Sequence, residues 1–213
     1  GTDQYVLVAP LFNKITVQLE NGKTVTINAP ENSSANKYIQ SASFNSDTAS
    51  GQTTVQVTTA ATKASHEGTN TYATAATALD NGGTITINGT LIGEFDTTND
   101  VQDVVDAINS KSGTTGVTAT WDTDHVQLDQ SNYGSEERII YVESADLLNG
   151  GAGVSKAGLD AVATVTGSGA GAYSAGKGLE LEDGNGNKIK LTEAGNTVST
   201  HTNSISTTAG AAS

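Results

Sequence analysis

Thr84-Ile85-Thr86-Ile87-Asn88-Gly89 is followed by Asp100-Val101-Gln102-Asp103-Val104-Val105-Asp106-Ala107-Ile108-Asn109. Then come Gly116-Val117-Thr118-Ala119-Thr120-Trp121, Val126-Gln127-Leu128 and Asn132-Tyr133-Gly134-Ser135. The pattern reads strand, helix, strand, strand. Ile85 and Ile87 alternate with Thr84 and Thr86, the period of a half-buried strand. Asn88-Gly89 is a turn pair, because both residues tolerate positive φ cheaply. Asn99 can cap a helix, with Gln102 completing a capping box. Val101, Val104, Val105 and Ile108 are spaced to form one apolar helical stripe. Asp100, Asp103 and Asp106 lie off it, and the first two suit the positive end of the helix dipole. Gly113 or Gly116 can end the helix. Val117, Ala119 and Trp121 then alternate with Thr118 and Thr120, so the helix is expected to cover one face of a small sheet.

Composition narrows what such a module can do. The chain has 213 residues, no Cys and no Met, and starts Gly1-Thr2, which suggests an excised segment or a processed product. Without Cys there is no disulfide and no thiolate metal site. No apolar run is long enough to cross a bilayer as a helix. Aromatics make up 5% and apolar residues 35%, so the core is expected to be thin and built from small β-branched side chains. Acidic residues outnumber basic ones 23 to 10, for a net charge of −13. That balance disfavours nucleic acid, whose phosphates are neutralised by Lys and Arg, and anionic membrane surfaces. It suits an exposed, self-repelling surface.

The stretch resembles the IN repeat of bacterial flagellins and hook-associated proteins, named for its Ile-Asn pair, here Ile108-Asn109. Tyr133-Gly134-Ser135-Glu136, Ile139-Ile140-Tyr141-Val142, residues 160–167 and Gly176-Lys177-Gly178-Leu179-Glu180-Leu181 resemble the flagellin segments that follow the repeat. The resemblance implies the outward-facing variable region of flagellin: a structural part of the filament, extracellular, supporting motility and antigen display. Its implied partners are neighbouring flagellin subunits, with host glycans or antibodies as outside contacts. No long heptad-striped helix is present, so the segment alone is expected to be monomeric. The alternatives are a fragment of a hook-associated or filament-cap protein, and a secreted carbohydrate-binding or adhesin module.

The expected fold is mainly β with a small α+β module, as two to three small β-rich domains in tandem with one short helix packed on a sheet. The expected divisions are a hairpin-rich β module at 1–62, a linker at 63–80, the IN module at 81–149, and a hairpin module with a polar tail at 150–213. In the first module Ile15, Val17 and Leu19 alternate, Asn21-Gly22 marks a turn, and Val25 and Ile27 alternate on the return. Tyr38 to Phe44 and Thr53 to Thr58 are further strands. Residues 12–44, with Asn21-Gly22-Lys23-Thr24-Val25-Thr26-Ile27 and Asn36-Lys37-Tyr38-Ile39-Gln40-Ser41-Ala42, are also similar to a β segment of α-mannosidase-type glycoside hydrolases. No catalytic residue carries over. A short helix is expected near Tyr72 to Leu79, a strand at Val162 to Val165, and a Gly-rich flexible loop from Gly167 to Gly178. Leu179 to Glu182 and Lys188 to Leu191 should form a hairpin around Asp183-Gly184-Asn185-Gly186-Asn187.

Reactive chemistry has little to draw on. The three histidines, His66, His125 and His201, lie in polar or turn-like stretches, with no Gly-x-Ser-x-Gly elbow nearby. No catalytic, cofactor or metal residue is assigned. Asp183, Asn185 and Asn187 have the spacing of an opening Ca²⁺ loop, but Ala194 stands where the bidentate Glu belongs. Asp122-Thr123-Asp124-His125 is too local to converge on a metal. Gly167 to Gly171 lacks the Lys-Ser/Thr of a phosphate loop. Tyr38 and Trp121 are the carbohydrate candidates, with Tyr5 and Phe44 behind them, since an exposed ring can stack on a sugar. For each, the competing role is core packing, and strand register places Trp121 inward.

Overall fold

The computed structural model of the protein describes residues 14–18, 24–28, 37–43, 53–167, 169–201 and 205–208. Tyr5, Phe44 and the Asn21-Gly22 turn lie outside them. Among the described residues the fold is mostly β, with several small sheets and one helix of more than two turns. The chain divides into two units, Gly1–Ala60 with Ala161–Ser213, and Ala61–Asp160.

In the first unit β1 (Lys14–Gln18) and β2 (Thr24–Asn28) pair antiparallel, and β17 (Ile205–Thr208) adds to the other side of β2. β4 (Thr53–Thr59) and β12 (Val162–Gly167) pair antiparallel, so the chain leaves and returns to this unit on neighbouring strands. β13 (Gly171–Tyr173) and β16 (Thr200–His201) complete that sheet. β14 (Glu180–Glu182), β15 (Lys188–Leu191) and β3 (Ile39–Ser43) form a third sheet, and the expected hairpin is its first pair. Val55, Val57, Ala163, Val165, Tyr173, Leu181, Ile189 and Leu191 are all buried. The Gly-rich run is more ordered than its composition predicts. Tyr173 is wholly buried and donates to the Gly169 carbonyl at 2.9 Å, which fixes a strand inside the expected loop.

The second unit holds the IN stretch. β6 (Gly83–Ile87) and β7 (Thr90–Phe95) make a hairpin whose two-residue turn is Asn88-Gly89, at φ 49° and 77°. β10 (Arg138–Glu143) pairs with β6, and β11 (Val154–Ala157) with β10. β5 (Lys63–Glu67), β9 (His125–Tyr133) and β8 (Val117–Asp122) form the other sheet. Helix α1 (Val101–Ser110) buries Val101, Val104, Val105 and Ile108 in one core with Ile85, Ile87, Leu128, Ile139 and Tyr141. A buried aliphatic side chain of this size contributes about 2 kcal/mol, so this stripe holds the helix down. The stretch 63–80, expected as a linker, contributes β5 and buries Tyr72 and Leu79. No helix forms at 72–79. Instead Ala78 bridges to Asp100, and the amides of Val101 and Gln102 bond the carbonyls of Thr77 and Ala75.

The cap of α1 falls one residue later than expected. Asp100 accepts from the Asp103 amide at 2.9 Å, and Asp103 accepts in return from the Asp100 amide at 3.1 Å. Two carboxylates therefore do the work expected of Asn99 and Gln102, at the end of the helix where negative charge is favoured. A one-turn helix, α2 (Ser112–Thr115), follows and ends on Gly116 at φ 72°. A Cβ on Gly116 would sit 2.6 Å from the Gln130 side-chain oxygen, so glycine is required there.

The β8–β9 turn places Thr123 at φ 57°, a conformation costly for a β-branched residue. Thr123→Gly should therefore raise the stability of this unit by about 1 kcal/mol, measured as a shift in the urea midpoint. No gain would mean that the bond from the Thr123 hydroxyl to the Asp122 carboxylate at 3.0 Å offsets the strain.

Candidate functional site

The Ile-Asn pair closes the helix onto the sheet. Ile108 is fully buried. The next side chain, Asn109, reaches the edge strand β8 and bonds Ala119 twice. Its Nδ2 donates to the Ala119 carbonyl at 2.9 Å, and its Oδ1 accepts from the Ala119 amide at 2.9 Å. An amide side chain thus does what a neighbouring strand would do, satisfying the exposed edge of β8. Asn109→Ala should cost about 1–2 kcal/mol and speed hydrogen exchange at the Ala119 amide. Unchanged exchange there would contradict this role.

Asn88 makes the second stitch. Its Nδ2 donates to the Thr115 carbonyl at 2.8 Å and the Arg138 carbonyl at 2.9 Å, and its Oδ1 accepts from the Ile140 amide at 2.8 Å. One turn residue therefore ties the β6–β7 hairpin to the end of α2 and to β10.

The third is a carboxylate. Glu143 is buried at the end of β10, on the inward parity shared with Ile139 and Tyr141. Its oxygens accept from the amides of Leu148 at 2.8 Å, Asn149 at 3.0 Å, Gly151 at 2.7 Å and Leu147 at 3.3 Å, and from the Tyr141 hydroxyl at 2.5 Å. Loop 144–152 has no regular structure, and this one side chain satisfies much of its backbone. Leu147 and Leu148, in the core, are positioned by it. Burial, reinforced by the Glu143 carboxylate, raises the Tyr141 phenol far above its ordinary range. Tyr72 donates to the Leu147 carbonyl, and His66 Nε2 lies 3.0 Å from Asn149 Oδ1. The sequence did not single out Glu143. The available signal was its place in an alternating strand, which puts an acid on the apolar side.

The remaining candidates are dispersed between the units. His66 and His125 lie on β5 and β9 of the second unit, and His201 lies in the first. His125 Nδ1 is 2.9 Å from Asp124 and its Nε2 is 3.5 Å from Glu67. The bond to Asp124 chiefly raises its pKa; desolvation opposes this in part, and the Glu67 charge adds to the rise. Tyr38 stacks on His201 with ring centroids 4.5 Å apart, and the Lys37 ammonium lies 5.3 Å from the Tyr38 centroid. Trp121 is half-buried and packs against the core of the second unit. Tyr38 and Trp121 therefore belong to different units, and each ring already has a partner.

Asp183 is buried and closes its own loop. Its carboxylate accepts from the amides of Asn185 at 2.9 Å and Asn187 at 2.8 Å, and from Asn187 Nδ2 at 2.8 Å. Burial pushes its pKa up, but these bonds outweigh it, and the net shift is downward. A carboxyl with a depressed folded pKa stabilises above its unfolded value near ~4 and loses that contribution as pH falls through the folded pKa. Stability of the first unit should therefore fall with acid below about pH 4, and Asp183→Asn should flatten that slope. An unchanged slope in the variant would contradict the assignment. Nearby, burial and then the Asp183 charge push the Tyr173 phenol up to about 12. No group of three or more His, Asp or Glu side chains placed to hold a metal occurs among the described residues.

Residues 84–131 match the family model of the flagellin hook IN motif. Residues 1–72 match that of the glycosyl hydrolase family 92 catalytic domain. No curated protein matches the chain. Among solved structures, the fold is similar to the D2-D3 domains of the flagellar cap protein FliD from Escherichia coli. That match is 18% identical, covers 79% of this chain and 93% of that one, and has a TM-score of 0.53. The D1-D2-D3 domains of the same protein match at 18% identity and TM-score 0.50, over 79% of this chain and 51% of that one. At such identity the likeness is one of fold.

Proposed function

We propose that this chain forms outer domains of a bacterial flagellar filament cap, a structural and non-catalytic part of the flagellum exposed outside the cell. The observation that carries this reading is a combination. The IN motif at residues 84–131 points to flagellar proteins, and the fold extends over nearly all of a cap protein's D2-D3 domains. The motif alone fits flagellin equally well, and the extended fold favours the cap over the flagellin variable region. The geometry agrees with a mechanical role. The polar side chains that stand out (Asn109, Asn88, Glu143 and Asp183) hold backbone in place. Net charge −13 keeps such a surface hydrated and self-repelling. Neighbouring subunits of the flagellar tip are the partners this reading implies.

Domain replacement tests it. A cap protein whose D2-D3 domains are exchanged for this chain should still support filament growth and swimming in a cap-deletion strain. A flagellin carrying the chain as its outer region should not rescue that strain. Rescue by neither, with both proteins exported and folded, would overturn the reading.

A further inference from the structure

An asparagine followed by glycine is open to spontaneous loss of ammonia, because glycine has no side chain to hinder attack by its own backbone nitrogen. Four such pairs occur among the described residues: Asn81-Gly82, Asn88-Gly89, Asn149-Gly150 and Asn185-Gly186. The reaction needs a side-chain amide that can rotate and a following backbone nitrogen that is not engaged elsewhere. The fold removes one or both at three of the pairs. Asn88 is held by its three bonds to Thr115, Arg138 and Ile140, in a turn at positive φ. Asn149 is buried, its Nδ2 donates to the Ala152 carbonyl at 2.8 Å, and the Gly150 amide donates to Asn70 Oδ1 at 3.0 Å. In the loop of the β14–β15 hairpin the Gly186 amide donates to the Asp183 carbonyl at 3.3 Å, and the Asn185 side chain bonds the Asp183 carboxylate.

Asn81-Gly82 differs on each count. Both residues are exposed. The pair precedes β6, whose register begins at Gly83, and no described residue accepts from the Gly82 amide. Among the described residues the Asn81 side chain makes a single bond, from Nδ2 to the Asp146 carbonyl at 3.2 Å, at the surface. We propose that Asn81 is a self-modification site, converted to aspartate and isoaspartate with water as the co-reactant. The Gly82 nitrogen attacks Asn81 Cγ and an N–Cγ bond forms. The Cγ–Nδ2 bond breaks, and the proton lost from the Gly82 nitrogen leaves with the ammonia. Water then opens the five-membered imide at either carbonyl, so a carboxylate replaces the amide. That carboxylate has no proton to donate to the Asp146 carbonyl, and it adds a negative charge beside Asp80 on a chain already at −13. Loop 144–152 thereby loses a tie to the start of β6, keeping the two between Ser144 and Thr84. The inference needs only this fold and stands apart from the flagellar reading.

Ageing the intact chain in mildly alkaline buffer, followed by peptide mapping in a mass spectrometer, reads all four sites in one sample. Asn81 should convert at least about tenfold faster than Asn88, Asn149 or Asn185, a barrier difference of about 1.4 kcal/mol. Its product should accept methyl groups from S-adenosylmethionine in the presence of an isoaspartyl carboxyl methyltransferase. Ageing in enough urea to unfold the chain should bring the four rates within about threefold of one another, since the unfolded chain keeps little of the fold's restraint. Near-equal rates in the folded chain, faster conversion at any of the other three sites, or an unchanged ratio in urea would overturn the proposal. Asn81→Asp installs the product charge from the start and should speed hydrogen exchange in loop 144–152 about twofold, the effect of one lost surface bond. Unchanged exchange in that variant would overturn the loosening of the loop.

Discussion

Glu143→Ala should destabilise the unit formed by Ala61–Asp160 by about 3–5 kcal/mol. The side chain is buried, and its removal leaves the amides of Leu147, Leu148, Asn149 and Gly151 and the Tyr141 hydroxyl without this acceptor. Each buried donor left unpaired costs about 1–3 kcal/mol, and partial entry of water recovers some of that. Leu147 and Leu148 should loosen with the loop, adding lost core packing. Trp121 is the only tryptophan and packs against this core, so its fluorescence in urea reports the change directly. Glu143→Gln retains one acceptor oxygen and should lose less than Glu143→Ala. A loss under ~1 kcal/mol for Glu143→Ala would mean that the loop amides find other partners at little cost.

Ile108→Ala carries the second large effect, about 3–4 kcal/mol, the usual range for a buried aliphatic side chain cut to Ala. Ile108 is fully buried in the core that α1 shares with the sheets of this unit. It should also weaken the Asn109–Ala119 bonds, because the same helix turn sets the Asn109 side chain against β8. The double variant Ile108→Ala, Asn109→Ala should then lose less than the sum of the two single losses. Val198→Ala, at an exposed site, should be within about 0.5 kcal/mol of the parent and serves as the control. Strict additivity of the pair would separate the two residues and remove the physical reason for their adjacency.

Those two residues also mark what the sequence could tell. The stripe of Val101, Val104, Val105 and Ile108, the Asn88-Gly89 turn and the hairpin around residues 183–187 rest on local periodicity and backbone preference. They form where expected. The cap moved from Asn99 to Asp100 because a carboxylate can fill either half of the box. Residues 63–80 look like a linker by composition, yet β5 and Tyr72 are held by partners more than fifty residues away, such as Leu128 and Leu147, and the Leu79 amide bonds the Asn99 carbonyl. Tyr173 likewise orders a glycine-rich run through burial that no local pattern reports. Glu143 is the sharpest case. A glutamate in a β strand reads as solvent-facing, and its value lies in amides four to eight residues further along a loop without period. The pairing of Asn109 with Ala119 was hidden for a similar reason. The sequence shows an asparagine after a helix stripe, and only the fold shows which strand edge lies beside it.

Where the protein sits on the flagellum tests the functional reading most directly. Gold-labelled antibodies raised against this chain and applied to intact filaments of its source cells should mark the distal tip and leave the shaft bare. Label along the whole shaft would contradict the cap and favour flagellin. Label on the cell body with bare filaments would contradict a flagellar role altogether.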